Sequence, residues 1–204
     1  MKDNLLYDGT LLHWMNAFDA QTLSYKATSG IFETDSAGKL KDYRNTAEQC
    51  TKDKGPVPEG KYEIEVIPRG EAGKSWPTCS LVRPKGGGIQ TIPRGANAVK
   101  GASNCEPYWA NWGVNRVQMN PANEKTRTAC SPRRTGFYIH DSAKGFSHGC
   151  IEVEADFFVR LRKFASLIAR KKMDATMPVT VAYRSAGMAT YGYTDQPNFV
   201  GPIP

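Results

Sequence analysis

The chain has 204 residues, with 27 Lys and Arg against 20 Asp and Glu and a formal net charge of +7. At 40% hydrophobic and 23% charged it is neither a disordered tail nor a membrane-embedded protein. The length suits a single domain over 1–204 with an insertion, not two full domains.

The opening segment, MKDNLLYDGTLLHWMN, lacks the unbroken apolar run of a secretory signal, because Asp3, Asn4, Asp8 and Gly9 interrupt it. Nothing further along has the apolar length to span a bilayer. The expectation is a chain made in the cytoplasm without a signal peptide.

Residues 10–15 (TLLHWM) read as a short apolar strand, and 23–27 as a second after a polar break. In 62–67 (YEIEVI), Tyr62, Ile64 and Val66 share one face and Glu63 and Glu65 the other, the alternation of a half-buried strand. Gly55-Pro56 and Pro58-Glu59-Gly60 form a tight approach to it. The stretch 70–134, with its triple glycine at 86–88 and many Pro and Asn, reads as an irregular insertion or a set of long loops, the kind usually functional or stapled. Within and after it, 114–119 (VNRVQM), 137–140 (FYIH) and 179–183 (VTVAY) are further strands. One segment, 155–172, predicts a helix: Phe157, Phe158, Leu161, Phe164, Leu167 and Ile168 recur at three- and four-residue spacing. Asp156 near its start and Arg170-Lys171-Lys172 near its end suit the helix dipole. Its apolar stripe reads as core-facing, because the helix lies between strands. The tail, 185–204, is turn-like or extended. The fold class is therefore α+β, mainly β.

Five cysteines are an odd number for a cytoplasmic chain, where disulfides are rare. No CxxC pair points to a zinc site. If one is a working thiol, then Cys50, Cys79, Cys105 and Cys130 form either two disulfides, in one of three connectivities, or four ordinary thiols. The basic clusters are short and lack the aromatic interleaving of a nucleic-acid surface, so the charge points to no nucleic-acid partner.

Chemistry concentrates in 136–153, GFYIHDSAKGFSHGCIEV. Two of the three histidines, His140 and His148, lie within ten residues upstream of Cys150. A cysteine attacks as its thiolate, and a neighbouring imidazole takes the proton. The strand FYIH delivers His140 at its end. The segment SHGC would set Cys150 on a turn, where Gly149 lets backbone approach a carbonyl closely and amides face a developing oxyanion. A zinc site from His140, His148 and Cys150 is the competing reading; it lacks a fourth ligand at motif spacing, although Asp141 is nearby.

SHGCI preceded by an Ile-His strand resembles the signature of the L,D-transpeptidase (YkuD-like) catalytic domain. Ser29-Gly30, followed by Gly55-Pro56-Val57-Pro58-Glu59-Gly60-Lys61-Tyr62, resembles the compact branch that includes type VI secretion effectors. The resemblance implies a β-sandwich or twisted sheet with one main helix and a cysteine acyltransferase without a cofactor or metal. Cys150 is then the nucleophile and His140 its base, oriented by the Asp141 carbonyl. His148 and Gly149 shape the pocket, and Ser147 fills the Ser/Thr position of the motif. Two departures stand out. Asp141 follows His140 where relatives carry Gly, and Glu152 stands where the larger enzymes carry Arg. Arg116, Arg133 or Arg134 is left to bind a substrate carboxylate.

The resemblance further implies an enzyme acting on peptidoglycan stem peptides, by L,D-carboxypeptidase or D-amino acid exchange chemistry. It implies an immunity protein and a secretion-machine component as partners, and action in the periplasm of a target bacterium. A cysteine amidopeptidase of the wall and a non-catalytic wall-binding module are the alternatives. Chain order, with every histidine before Cys150, speaks against the first.

Overall fold

The computed structural model describes residues 3–15, 21–34, 36–75, 80–94 and 108–195. In chain order the strands are β1 (Asn4–Tyr7), β2 (Leu11–Met15), β3 (Thr22–Gly30), β4 (Phe32–Thr34), β5 (Leu40–Asp42), β6 (Gly60–Glu65), β7 (Pro68–Glu71), β8 (Lys74–Ser75), β9 (Ser80–Leu81) and β10 (Ile89–Thr91). After the short helix α1 (Tyr108–Trp112) come β11 (Asn115–Gln118), β12 (Asn120–Pro121), α2 (Glu124–Arg127), β13 (Tyr138–His140), β14 (Ser147–Val153), α3 (Ala155–Lys171) and β15 (Thr176–Val181). The fold is α+β and mainly β, with one large mixed sheet.

That sheet runs β12-β6-β15-β1-β2-β3-β14-β13-β11-β10-β7. Its pivot is β3, long enough to serve two neighbours. Thr22 to Lys26 pair with β2, and Ala27, Thr28 and Gly30 pair with β14. The two halves share one core, in which Leu5, Trp14, Tyr62 and Ile64 of one half meet Val117, Ile139 and Ile151 of the other. Tyr62 and Phe137 touch edge to face across it at 6.1 Å. The alternation read in YEIEVI holds, with Tyr62, Ile64 and Val66 buried and Glu63 exposed.

Helix α3 closes the core as its spacing predicts. Phe157, Phe158, Leu161, Ala165 and Ile168 are buried, and each large one contributes roughly 1.5–3 kcal/mol. Trp14 lies 6.0 Å from Phe157 and 5.3 Å from Phe164, which seats the helix on β2. Arg162 reaches the other half, donating to Asn115 Oδ1 and Thr91 Oγ1. No described helix is long and apolar enough to cross a membrane.

The sequence reading needs three corrections here. The N-terminal strand β1 went unpredicted, and β15 begins at Thr176, three residues before the predicted strand. Part of the stretch read as an insertion belongs to the sheet, since β10 and β12 join it along with β11, the strand expected at 114–119. β10 and β12 are three and two residues long, too short for apolar alternation to reveal them. Finally, SHGC lies within β14, not on a turn. Five residue steps along β14, Ser147 to Glu152, are set against two along β3, Gly30 to Thr28. The extra residues bulge, and a bulge re-aims side chains as a turn would.

Helix α3 ends with Lys172 in the left-handed region at φ 51, while Met173 N–H donates back to Ile168 O at 3.1 Å. This is the position where glycine avoids a Cβ penalty. Lys172→Gly is expected to stabilise the protein by about 1 kcal/mol, read as a higher urea midpoint at unchanged slope.

Candidate active site

Strands β13 and β14 run parallel, with Ile139 opposite Ile151 and His140 opposite Glu152. Registered partners share a face, and residues two apart on a strand share it too. His140, Glu152 and Cys150 therefore project to one side. Parallel neighbours ordinarily need a crossover of a dozen residues or more. Here residues 141–146 make the link, and the bulge of β14 folds back over it.

Cys150 is buried and free. It lines a cavity of about 290 Å³ together with Asn111, Trp112, His140, Lys144, Ser147 and His148. Its own backbone is pinned. Ser29 Oγ donates to Cys150 O at 2.7 Å and accepts from Val57 N–H at 2.9 Å, and Ser147 Oγ donates to the same carbonyl. The Ser29-Gly30 and Gly55-Pro56-Val57 elements of the sequence thus meet behind Cys150.

Gly149 has φ +91, and a Cβ there would lie 2.2 Å from Arg134 Nη2. The Arg134 guanidinium fills that floor, donating to the carbonyls of Gln49, Pro56 and Gly55. The Cys50–Cys130 disulfide flanks this network on both strands of the connection, one residue after Gln49 and four before Arg134. One of the expected cysteine pairings is thereby resolved; Cys79 and Cys105 lie outside the described residues.

Burial governs the electrostatics. It pushes the Cys150 thiol up to about 11, against a backbone hydrogen bond from Tyr138 and the cations Lys144, Arg116 and Arg134, which pull the other way. Burial, with Lys144, Arg116 and His148, holds His140 well below the usual histidine range. Both shifts favour the thiol and the neutral imidazole over the ion pair. Trp112 flanks the His140 ring edge to face at 5.3 Å.

The remaining predicted residues separate. His148 is on the cavity wall and its Nδ1 lies 2.9 Å from Asp53 O. Arg133 is exposed. Arg116 is buried between the rings of Trp112 and Tyr138 and donates to Gln90 Oε1 and Val82 O. Neither Arg116 nor Arg134 lines the cavity; Lys144 does. Asp141 does not have the expected role. Its carboxylate accepts from the N–H groups of Val114 and Asn115 and from Asn115 Nδ2, and its carbonyl lies against Gly113. The partner at His140 Nδ1 is Ser142 Oγ, at 3.0 Å. Ser142 in turn donates to Glu152, which is fully buried.

Ser142, Glu152, Lys144, Trp112 and Ser29 are the site residues that sequence reasoning missed. Ser142, Lys144 and Glu152 sat inside the stretch already singled out, two residues from His140 or Cys150 or between them. Period-two alternation places Glu152 on the face of Cys150. Among the described residues no group of three His, Cys, Asp or Glu is placed to hold a metal ion.

A mainly β, α+β protein with a buried cysteine and histidine sharing one cavity is the class these features define. Residues 37–179, more than half of the chain, match the Tlde1 domain, and the protein belongs to that family, one of type VI secretion effectors of L,D-transpeptidase type. Comparison with curated proteins returns no match.

The network at Gly149 makes the disulfide part of the site. Cys50→Ser, or reduction of the wild type, is expected to cost roughly 2–5 kcal/mol of stability and to lower activity. Urea unfolding with and without reductant checks the first, and turnover after reduction the second.

Proposed function

We propose that the protein is a cysteine acyltransferase and peptidase acting on the L,D-bond of peptidoglycan stem peptides. The observation that carries this reading is the shared cavity of a free, buried Cys150 and a buried His140 on adjacent strands. Membership of the effector family supports the substrate class.

In the proposed mechanism the stem peptide enters with its C-terminal carboxylate towards Lys144, a residue of the cavity lining. That role was expected of Arg116, Arg133 or Arg134. Cys150 Sγ attacks the carbonyl between the third and fourth residues as its proton passes to His140. Thiol and imidazole are both neutral at rest, so charge separates only as the bond forms. Amides of the β14 bulge stabilise the oxyanion. Collapse returns the proton to the departing amine, and D-alanine leaves a thioester on Cys150. Water then completes an L,D-carboxypeptidase cycle; a D-amino acid amine in its place completes an exchange. Either reaction depletes the substrates of cross-linking. Delivery to the periplasm of a target cell, with an immunity protein in the producer, follows from the same reading, and oxidising surroundings there suit the Cys50–Cys130 disulfide.

Tetrapeptide muropeptides incubated with the protein are expected to lose the mass of terminal D-alanine, or to exchange it. Cys150→Ala should lower the rate by at least about 10⁴-fold. Unchanged muropeptides, equal activity in the variant, or cleavage at another bond would each overturn the assignment.

The pH profile carries a sign. Catalysis needs His140 unprotonated, and its pKa is depressed, so the base form persists into acid. The acid limb of kcat/KM is expected well below the ordinary histidine value of about 6.5, read from rates across a pH series.

A further inference from the structure

We propose that Glu152, acting through Ser142, fixes the proton of His140 on Nδ1 and so leaves Nε2 free to receive the proton of Cys150. Glu152 is then a positioning residue, and the proposal rests on the reading of His140 as the base. The argument begins with donor counting. Glu152 is fully buried, and four groups point donors at its two oxygens. Gly145 N–H donates to Oε1 at 2.7 Å and Lys144 N–H to Oε2 at 3.1 Å. Thr194 Oγ1 donates to Oε1 and Ser142 Oγ to Oε2. A carboxylate accepts at about four positions and donates at none, so the four donors suit the ionised form; burial pushes the carboxyl up, and the hydrogen bonds of Ser142, Thr194 and Lys144 N–H and the Lys144 cation oppose it.

A serine hydroxyl has one proton. Given to Glu152, it is no longer available to His140. Ser142 Oγ, 3.0 Å from His140 Nδ1, must then accept from it, and Nδ1 must carry hydrogen. A neutral imidazole has a single N–H, so Nε2 holds a lone pair. Each link has one direction. The carboxylate sets the serine, the serine sets the tautomer, and the tautomer decides whether the ring can take a proton from the thiol.

Glutamine at 152 reverses the chain. Its amide N–H₂ donates to Ser142 Oγ, which turns its own proton to Nδ1 and pushes the ring proton to Nε2. The ring then presents N–H to Cys150 and cannot serve as base. The wrong tautomer in an intact geometry is the kind of change that costs serine-protease triads about 10⁴ in kcat.

The test is nitrogen-15 NMR of ring-labelled protein, tractable with only three histidines, together with steady-state kinetics. In the resting wild type His140 is expected as the Nδ1–H form, and in Glu152→Gln as the Nε2–H form. Glu152→Gln should lower kcat by roughly 10²–10⁴-fold with little change in KM. Ser142→Ala leaves the other three donors to Glu152 in place and guards against misfolding of the first variant. With Ser142 removed, Glu152→Gln should no longer shift the His140 tautomer, because the relay is already broken. Nε2–H in the wild type, an unchanged tautomer in Glu152→Gln, or a tautomer shift by Glu152→Gln that persists without Ser142 would overturn the proposal. The NMR result does not depend on turnover. A correct tautomer switch in a protein that cleaves no muropeptide would leave this inference standing and defeat the assigned reaction.

Discussion

A single buried carboxylate holds the short link between two parallel strands, and the rest of the site depends on that link. Strands β13 and β14 are joined by only six residues between His140 and Ser147. So short a parallel connection cannot satisfy its own backbone through a helix. Glu152 takes up the N–H groups of Lys144 and Gly145 instead, and Thr194 ties it to the C-terminal segment. Removing such a carboxylate would leave several buried donors unpaired, each costing roughly 1–3 kcal/mol. The same closure sets His140 opposite Glu152 and two positions diagonal to Cys150.

The support behind Cys150 is of a different kind. Two hydroxyls, of Ser29 and Ser147, hold its carbonyl, and a buried cation, Arg134, occupies the space a side chain at position 149 would need. Arg134 is satisfied by the carbonyls of Gln49, Gly55 and Pro56, beside the disulfide. The bulge is thus rigid from below and open to the cavity above. Burial favours the uncharged forms of Cys150 and His140, and a neutral pair avoids the desolvation cost of a buried thiolate–imidazolium pair.

Much of this was legible in the residues. Apolar alternation in YEIEVI and the stripe of Phe157 to Ile168 located β6 and α3, because each has one buried face. The pairing of His140 with Cys150 could be anticipated from residue chemistry and proximity. The strand β11 was also legible, within 114–119, whereas β10 and β12 were not, being three and two residues long, too short for an alternation to show. Asp141 was misread for a different reason. Adjacent to His140 in sequence, it lies just past the end of β13, where its carboxylate takes the N–H groups of Val114 and Asn115 and Ser142 takes the place at Nδ1. Ser142 and Glu152 were visible but unassigned, because their role depends on the register of β14, which an alternation pattern broken by a bulge does not disclose.

The central claim is that Cys150 and His140 form a cavity-lining pair that rests uncharged. Thiolate absorbance in the ultraviolet, taken as the difference between wild type and Cys150→Ala across a pH series, tests it most directly. The account predicts no thiolate from Cys150 at neutral pH and its rise only in alkaline solution, towards about 11. A thiolate signal already complete at pH 7 would contradict it, showing a preformed ion pair in place of a neutral thiol and its base.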